Sequence, residues 1–142
     1  MKTLADLDDT HWAGTNELWL DPMGDKVTTC NATLHVEGSK VIYTWSHGGQ
    51  TQHGTLSFTG ETASFCDTFH STDAMVCAAL PGAKGLAQVQ GKYGPDKDWG
   101  WRIGLVYRTP MEQLVLQMTN IAPWGEEARA VRMALKRSTG GA

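Results

Sequence analysis

The stretch at positions 99–107, Trp-Gly-Trp-Arg-Ile-Gly-Leu-Val-Tyr, alternates between two kinds of side chain. In an extended chain one face carries Trp99, Trp101, Ile103, Leu105 and Tyr107, and the other face carries glycine, arginine and valine. Because successive side chains of a strand point to opposite faces, this pattern predicts a strand with one packed face and one solvated face. The large side chains need an apolar space opposite them, which other strands must enclose.

Similar alternation recurs along most of the chain, between turn clusters rich in Gly, Pro and Asp. The last such segment contains helix-favouring residues, but the alternation of Val131, Met133 and Leu135 favours a strand. The predicted strands span 11–20, 26–37, 41–47, 50–59, 62–70, 72–80, 86–93, 99–108, 112–121 and 126–137.

A chain of many short strands with little helix can bury its strand edges in a barrel or in a sandwich. The tryptophan-bearing strands supply large inward side chains without a long crossover. We therefore predict an all-β fold, an up-and-down antiparallel β-barrel of about nine or ten strands. It forms a single domain at 11–137, preceded by a lead-in at 1–10 and followed by a flexible tail at 138–142.

The composition excludes several classes of partner. The net charge of the 142-residue chain is −3 and its basic residues are scattered, which gives no reason to expect nucleic acid or a membrane as partner.

The N-terminal residues turn acidic at once and lack the apolar stretch of a secretory leader. Three cysteines without metal-ligand spacing are typical of free thiols in a reducing compartment. We expect a cytoplasmic protein, either a monomer or a homodimer.

Several features resemble the calycins, the superfamily that includes lipocalins and fatty-acid-binding proteins. They are an early Trp-Ala-Gly at 12–14, the meander of strands, and a basic residue on the last strand, Arg132 or Arg137. The layout is most similar to an uncharacterised bacterial family of calycin-like barrels, which shares the tryptophan–glycine strand and an Asp-containing segment like that at 65–70. The resemblance implies an up-and-down barrel with a central cavity.

The aromatic residues on the inward faces predict a ligand cavity, because rings offer large contact areas with few rotatable bonds. A barrel of this size is either open to one small ligand or filled by its own side chains. We expect a small, largely apolar or aromatic ligand in the barrel interior. The candidate contacts are Tyr43, Trp45, Trp99, Trp101, Met118 and Met133, with Asn16, Asn120 and Asp67 as polar anchors.

Two other functions compete with ligand binding. A small enzyme could use Asp67 with His47 or His70 as acid and base, although strand parity puts Asp67 and His70 on opposite faces unless a bulge intervenes. Haem held by His47 is an alternative cofactor; otherwise we expect no cofactor and no metal, because no ligand spacing is clustered in sequence. A filled barrel would instead act as a protein-interaction module.

Overall fold

Ten strands make up the fold. The computed structural model describes residues 3–21, 24–80 and 85–138. Single 3₁₀ turns lie at Ala5–Leu7 and Thr109–Met111, and no helix in these described ranges is long and apolar enough to cross a membrane. In chain order the strands are β1 (Thr10–Trp19), β2 (Val27–Glu37), β3 (Lys40–His47), β4 (Gln50–Thr59), β5 (Thr62–Asp67), β6 (Ser71–Ala79), β7 (Ala87–Tyr93), β8 (Trp99–Arg108), β9 (Gln113–Ile121) and β10 (Glu127–Ser138).

The strands form a closed barrel in which each strand neighbours the next one along the chain. All pairs are antiparallel, including that of the first strand with the last, whose register runs from His11–Ser138 to Leu18–Val131. The predicted all-β, up-and-down antiparallel barrel is therefore confirmed, with ten strands. Closure removes the open sheet edges at which such a chain would otherwise associate with others.

The strand boundaries agree with the predicted ones to within one residue, except for the strand predicted at 62–70. That strand ends early, at Asp67, because its carboxylate binds the backbone of the turn that follows. The segment at 126–137, for which helix was the competing interpretation, is strand β10. Parts of the predicted lead-in, of the turns at 21–25 and 81–85, and of the tail lie outside the described residues, namely 1–2, 22–23, 81–84 and 139–142.

The strand that dominates the sequence pattern shows the predicted division of faces. Trp101, Ile103 and Leu105 are buried in the barrel core, whereas Val106 and Arg108 are exposed. The other strands contribute further fully buried side chains, which fill the space between the walls. The largest of these are Trp12, Tyr43, Trp45, Phe65, Leu18, Leu34, Leu56, Leu114 and Leu116.

The two ends of the barrel differ. At one end, the plugged end, Leu7 of the first 3₁₀ turn is buried. Its carbonyl accepts a hydrogen bond of 2.6 Å from the Thr10 hydroxyl, and that hydroxyl accepts one of 2.8 Å from the indole N–H of Trp12. The plugged end is thus closed by an apolar side chain, and the buried indole N–H of Trp12 is paired there. The opposite end, the mouth, is formed by the connections that follow β1, β3, β5, β7 and β9.

Gly14 sits where the first and last strands close the barrel. A β-carbon at this position would lie 2.2 Å from the carbonyl oxygen of Ala134 and 3.0 Å from Cα of Leu135. Both are backbone atoms of β10, which cannot rotate away as a side chain can. The glycine of the early Trp-Ala-Gly sequence is therefore explained by the close approach of β1 to β10.

We expect Gly14→Ala to lower the free energy of unfolding by about 2 kcal/mol, because the added methyl group forces the two strands apart. The matched control is Gly104→Ala, since a β-carbon there meets no atom within 4 Å. This control should leave stability unchanged or raise it by up to about 1 kcal/mol. Urea unfolding followed by circular dichroism measures both. Equal stabilities of the two variants would contradict this account of barrel closure.

Candidate functional site

The buried carboxylate of Asp67 organises the turn between β5 and β6. Its Oδ1 accepts hydrogen bonds from the backbone N–H groups of Phe69 (2.8 Å), His70 and Ser71 (3.4 Å). An aspartate that binds the backbone of the next residues is a common way to fix a tight turn. The turn at 68–70 therefore holds Phe69 and His70 in defined positions at the mouth.

The other oxygen of Asp67 binds Tyr43, which reaches it from two strands away. The Tyr43 hydroxyl donates a 2.5 Å hydrogen bond to Oδ2 of Asp67. Gly54 on β4 pairs with both residues in register, and a β-carbon on it would lie 2.1 Å from Cζ of the Tyr43 ring. Because Gly54 has no side chain, the tyrosine ring can lie directly over β4 and reach from β3 to Asp67 on β5.

His70 completes this polar group. Its Nδ1 lies 3.2 Å from Oδ2 of Asp67. Burial by itself raises the pKa of Asp67, but the hydrogen bonds and charge from His70 together with the Tyr43 hydroxyl outweigh it, and the net pKa is lowered. Burial, followed by the negative charge of Asp67, raises the pKa of Tyr43 well above its ordinary value. Near neutral pH Asp67 is therefore a carboxylate and Tyr43 a neutral phenol.

Aromatic rings surround His70 on the inside of the barrel. The His70 ring centroid lies 4.9 Å from that of Trp101 and 5.5 Å from that of Trp45. Each indole stacks on a further ring, Phe65 for Trp101 and Tyr43 for Trp45. Both indole N–H groups are buried and have no hydrogen-bond partner in the described part of the chain. They contrast with the paired indole N–H of the plugged end.

A cavity of about 200 Å³ opens at the mouth above these rings. Two of its polar residues pair with each other, since the Tyr93 hydroxyl donates a hydrogen bond to Oδ1 of Asn120. A third, Arg129, stacks over the ring of Trp19 with its guanidinium carbon 4.7 Å from the ring centroid. The lining residues are Trp19, Leu20, Asp21, Phe69, His70, Tyr93, Trp101, Asn120, Arg129 and Ala130.

The wall beside the mouth is interrupted between β6 and β7, a gap called the seam below. Of the described residues of these strands, only Ala78–Gln90 and Ala79–Val89 pair in register. A second cavity, of about 730 Å³, lies along the seam and shares His70 and Tyr93 with the mouth cavity. It runs over the unpaired parts of both strands, at 71–76 and 91–93. The cavities at the mouth and along the seam therefore adjoin each other and form one cleft.

Sulfur-containing side chains pack across the inner side of the seam. A β-carbon on Gly91 would lie 2.7 Å from Sδ of Met75 and 2.9 Å from Sγ of Cys77. These contacts hold the strands side by side where the backbone ladder is missing. Burial raises the pKa of the Cys77 thiol to about 11, so this thiol is neutral at physiological pH and serves as an apolar surface.

The structure brings together two of the three predicted acid–base residues. The register shift between Phe65 and Asp67 is the bulge without which strand parity would put Asp67 and His70 on opposite faces. Together with the turn that follows, it brings the His70 ring next to the Asp67 carboxylate. His47 lies half-buried at the end of β3 and is not among the described hydrogen-bond partners of Asp67. Haem binding through His47 stays a prediction.

The residues predicted to bind a ligand are spread over the mouth and the core. Trp101 and Asn120 line the mouth cavity. Trp99 is half-buried at the rim, where it packs against Tyr93 and Trp124. The remaining five, Asn16, Tyr43, Trp45, Met118 and Met133, are fully buried.

Sequence reasoning missed part of the mouth. Phe69 falls within the strand predicted at 62–70 but lies in a turn, where its ring centroid is 5.7 Å from that of Trp45. Trp19 and Arg129 were not predicted, because they meet only through the pairing of the first strand with the last. No spacing in the sequence indicates that contact.

Comparison with known proteins does not assign this chain to a family. No protein-family model matches this chain, and no curated protein or solved structure is significantly similar to it. The ten-stranded antiparallel barrel with little helix is compatible with a calycin-like fold.

We expect a double-mutant cycle of Tyr43→Phe and Asp67→Asn to give a coupling energy of about 1.5–3 kcal/mol at neutral pH, because the hydrogen bond is buried and charge-assisted. Since the pKa of Asp67 is lowered in the folded state, its stabilising contribution is complete above its unfolded pKa of about 4. That contribution is lost as the pH falls through the lower folded-state pKa. Urea unfolding at a series of pH values measures both effects.

In Asp67→Asn, this component of acid destabilisation should be absent. Asp73→Asn is the matched control, because Asp73 is exposed; it should keep the pH dependence of the unaltered protein. A coupling energy near zero, or an unchanged acid dependence in Asp67→Asn, would contradict the assigned hydrogen bonds.

Proposed function

We propose that this protein binds a small, largely apolar or aromatic molecule that enters through the mouth and the seam and contacts the aromatic rings beneath. The observation that carries the proposal is the seam itself. A closed barrel that only had to be stable would pair β6 with β7 at five to ten positions, as the other neighbouring strands do in the described part of the chain, whereas these two pair at two. The interruption instead provides a cleft next to the aromatic cluster.

The lining suits a flat or apolar molecule. Trp101, Tyr93 and Phe69 present ring faces and edges at the mouth, and Met75 presents a thioether at the seam. Aromatic and thioether groups bind apolar ligands through contact area and adapt to their shape. Each Å² of apolar ligand surface that leaves water contributes roughly 25 cal/mol before ordering costs.

The unpaired indole N–H groups favour a ligand that also carries a hydrogen-bond acceptor. A buried donor without a partner destabilises the folded protein by about 1–3 kcal/mol. Trp101 lines the mouth cavity, so an acceptor bound there would remove that penalty for its N–H. Arg129 adds a positive charge at the mouth, while the nearby Asp21 carboxylate already accepts hydrogen bonds from the backbone of Asp25 and Lys26.

The calycin-like interpretation is part of this proposal. Ten antiparallel strands in sequence order around a cavity opening, with an early Trp-Ala-Gly on the closing strand, support it. The cysteines described as free thiols, Cys30, Cys66 and Cys77, support the proposed cytoplasmic location.

The test uses two fluorescent probes that share one ring system. Anilinonaphthalene sulfonate carries a hydrogen-bond acceptor, its sulfonate group, and phenylnaphthylamine lacks that group. Both should bind the unaltered protein and quench or shift its tryptophan fluorescence. Trp101→Phe keeps a ring but removes the N–H. We expect it to weaken binding of the sulfonate about tenfold, and of phenylnaphthylamine by much less.

Trp124→Phe is the control, because Trp124 is exposed near the mouth and does not line the cavity. It should leave both affinities unchanged. Binding of neither probe to a cooperatively folded protein would contradict the proposal. An equal loss for both probes in Trp101→Phe would assign the indole a packing role only.

A second candidate function is acid–base catalysis. The specific observation in its favour is the Asp67–His70 contact, because a carboxylate that orients a histidine beside a cleft is the arrangement of a general base. If the protein is an enzyme, His70→Gln should abolish turnover of small nitrophenyl esters while probe binding persists. Turnover equal to that of the unaltered protein would remove this candidate.

A further inference from the structure

Two histidines and an aspartate meet on the outer face of the barrel at the plugged end, away from the mouth. His11 on β1 and His35 on β2 are directly opposite each other in register. Asp9 immediately precedes β1. We propose that Asp9, His11 and His35 bind a divalent transition-metal ion of the Zn²⁺ type. This site does not depend on the proposed function at the mouth.

The ligand atoms are close together before any ion binds. One imidazole nitrogen of each histidine and a carboxylate oxygen of Asp9 all lie within 4.8 Å of one another. The histidine rings stack with their centroids 4.0 Å apart and an angle of 11° between their planes. Zinc binds nitrogen and oxygen ligands at about 2.0–2.2 Å, so the proposed site requires these side chains to rotate towards a common point.

The backbone holds Asp9 in place against β2. Its N–H donates a 2.8 Å hydrogen bond to the carbonyl of Val36, and its φ of 59° is in the left-handed region. The preceding Asp8 accepts a 2.7 Å hydrogen bond from the N–H of Gly38. The turn is thus fastened on both sides, while the Asp9 carboxylate itself is 88% exposed and free to rotate towards an ion.

His35 has the surroundings of a metal ligand. Its Nε2 is buried, lies 3.5 Å from Oδ1 of Asp9 and has no hydrogen-bond partner among the described residues. Its Nδ1 lies 3.9 Å from a carboxylate oxygen of Glu37. Metal-binding histidines usually direct their second nitrogen at a carboxylate, which fixes the ring and makes the other nitrogen more basic. Glu37 is positioned for that role.

Two imidazoles and one carboxylate form a ligand set that suits Zn²⁺, Co²⁺, Ni²⁺ or Cu²⁺ rather than Ca²⁺ or Mg²⁺. Three protein ligands leave a fourth position for water. The ion would also join the plug turn to β1 and β2. Binding should therefore stabilise the folded protein, in proportion to the affinity and the metal concentration.

The test is calorimetric titration of the chelator-treated full chain with Zn²⁺ alone. We expect one ion per chain and a melting temperature that rises with Zn²⁺ concentration. His35→Ala and Asp9→Asn should each weaken binding by at least about tenfold and reduce the thermal shift. Asparagine tolerates the left-handed backbone at position 9, so the second variant keeps the fold.

His53→Ala is the matched control, because His53 is another surface histidine on a strand, outside the cluster. It should bind Zn²⁺ with unchanged affinity. Titration with Co²⁺ separates this site from the cysteines: nitrogen and oxygen ligands give visible d–d bands without a thiolate charge-transfer band. Absence of Zn²⁺ binding, equal affinity in all variants, or a thiolate band that tracks the Co²⁺ bound would overturn the proposal.

Discussion

The main-chain ladder between β1 and β10 is the constraint on which the rest of the barrel depends. It exists because Gly14 lets the first strand approach the backbone of the last. Once this ladder has formed, no terminal strand edge is left to pair with another molecule. The β6–β7 ladder is the shortest between neighbouring strands in the described part of the chain. Such a gap is tolerated because β5 and β8 hold its two sides.

Within that frame, one buried carboxylate sets the geometry of the mouth. Burial of a charge is unfavourable unless hydrogen bonds compensate for it, and Asp67 has donors from three backbone groups and two side chains. The backbone donors fix the turn that carries Phe69. The side-chain donors tie β3 to β5 and orient His70. The hydrogen bonds of Asp67 thus both stabilise the turn between β5 and β6 and expose the His70 ring to the cleft.

The sequence predicted the strands and the barrel because alternation is a local property, visible in a stretch such as 99–107. It also predicted that Asp67 and His70 would meet only if a bulge intervened, but it could not show that the Asp67 carboxylate itself creates the turn. The cluster of Asp9, His11 and His35 was not predicted. Its two histidines come from two strands whose register is set by the whole sheet, so no spacing in the sequence indicates it.

The tryptophans at the two ends of the barrel differ in a way that supports the proposed ligand at the mouth. Trp12 at the plugged end is fully buried and its N–H is paired with the Thr10 hydroxyl. Trp45 and Trp101 towards the mouth are equally parts of the core, yet their N–H groups have no partner in the described chain. Phenylalanine would fill much of the same space without an unpaired donor. Retention of two such donors, of which that of Trp101 belongs to a residue lining the mouth cavity, supports the proposal that a ligand supplies the acceptor.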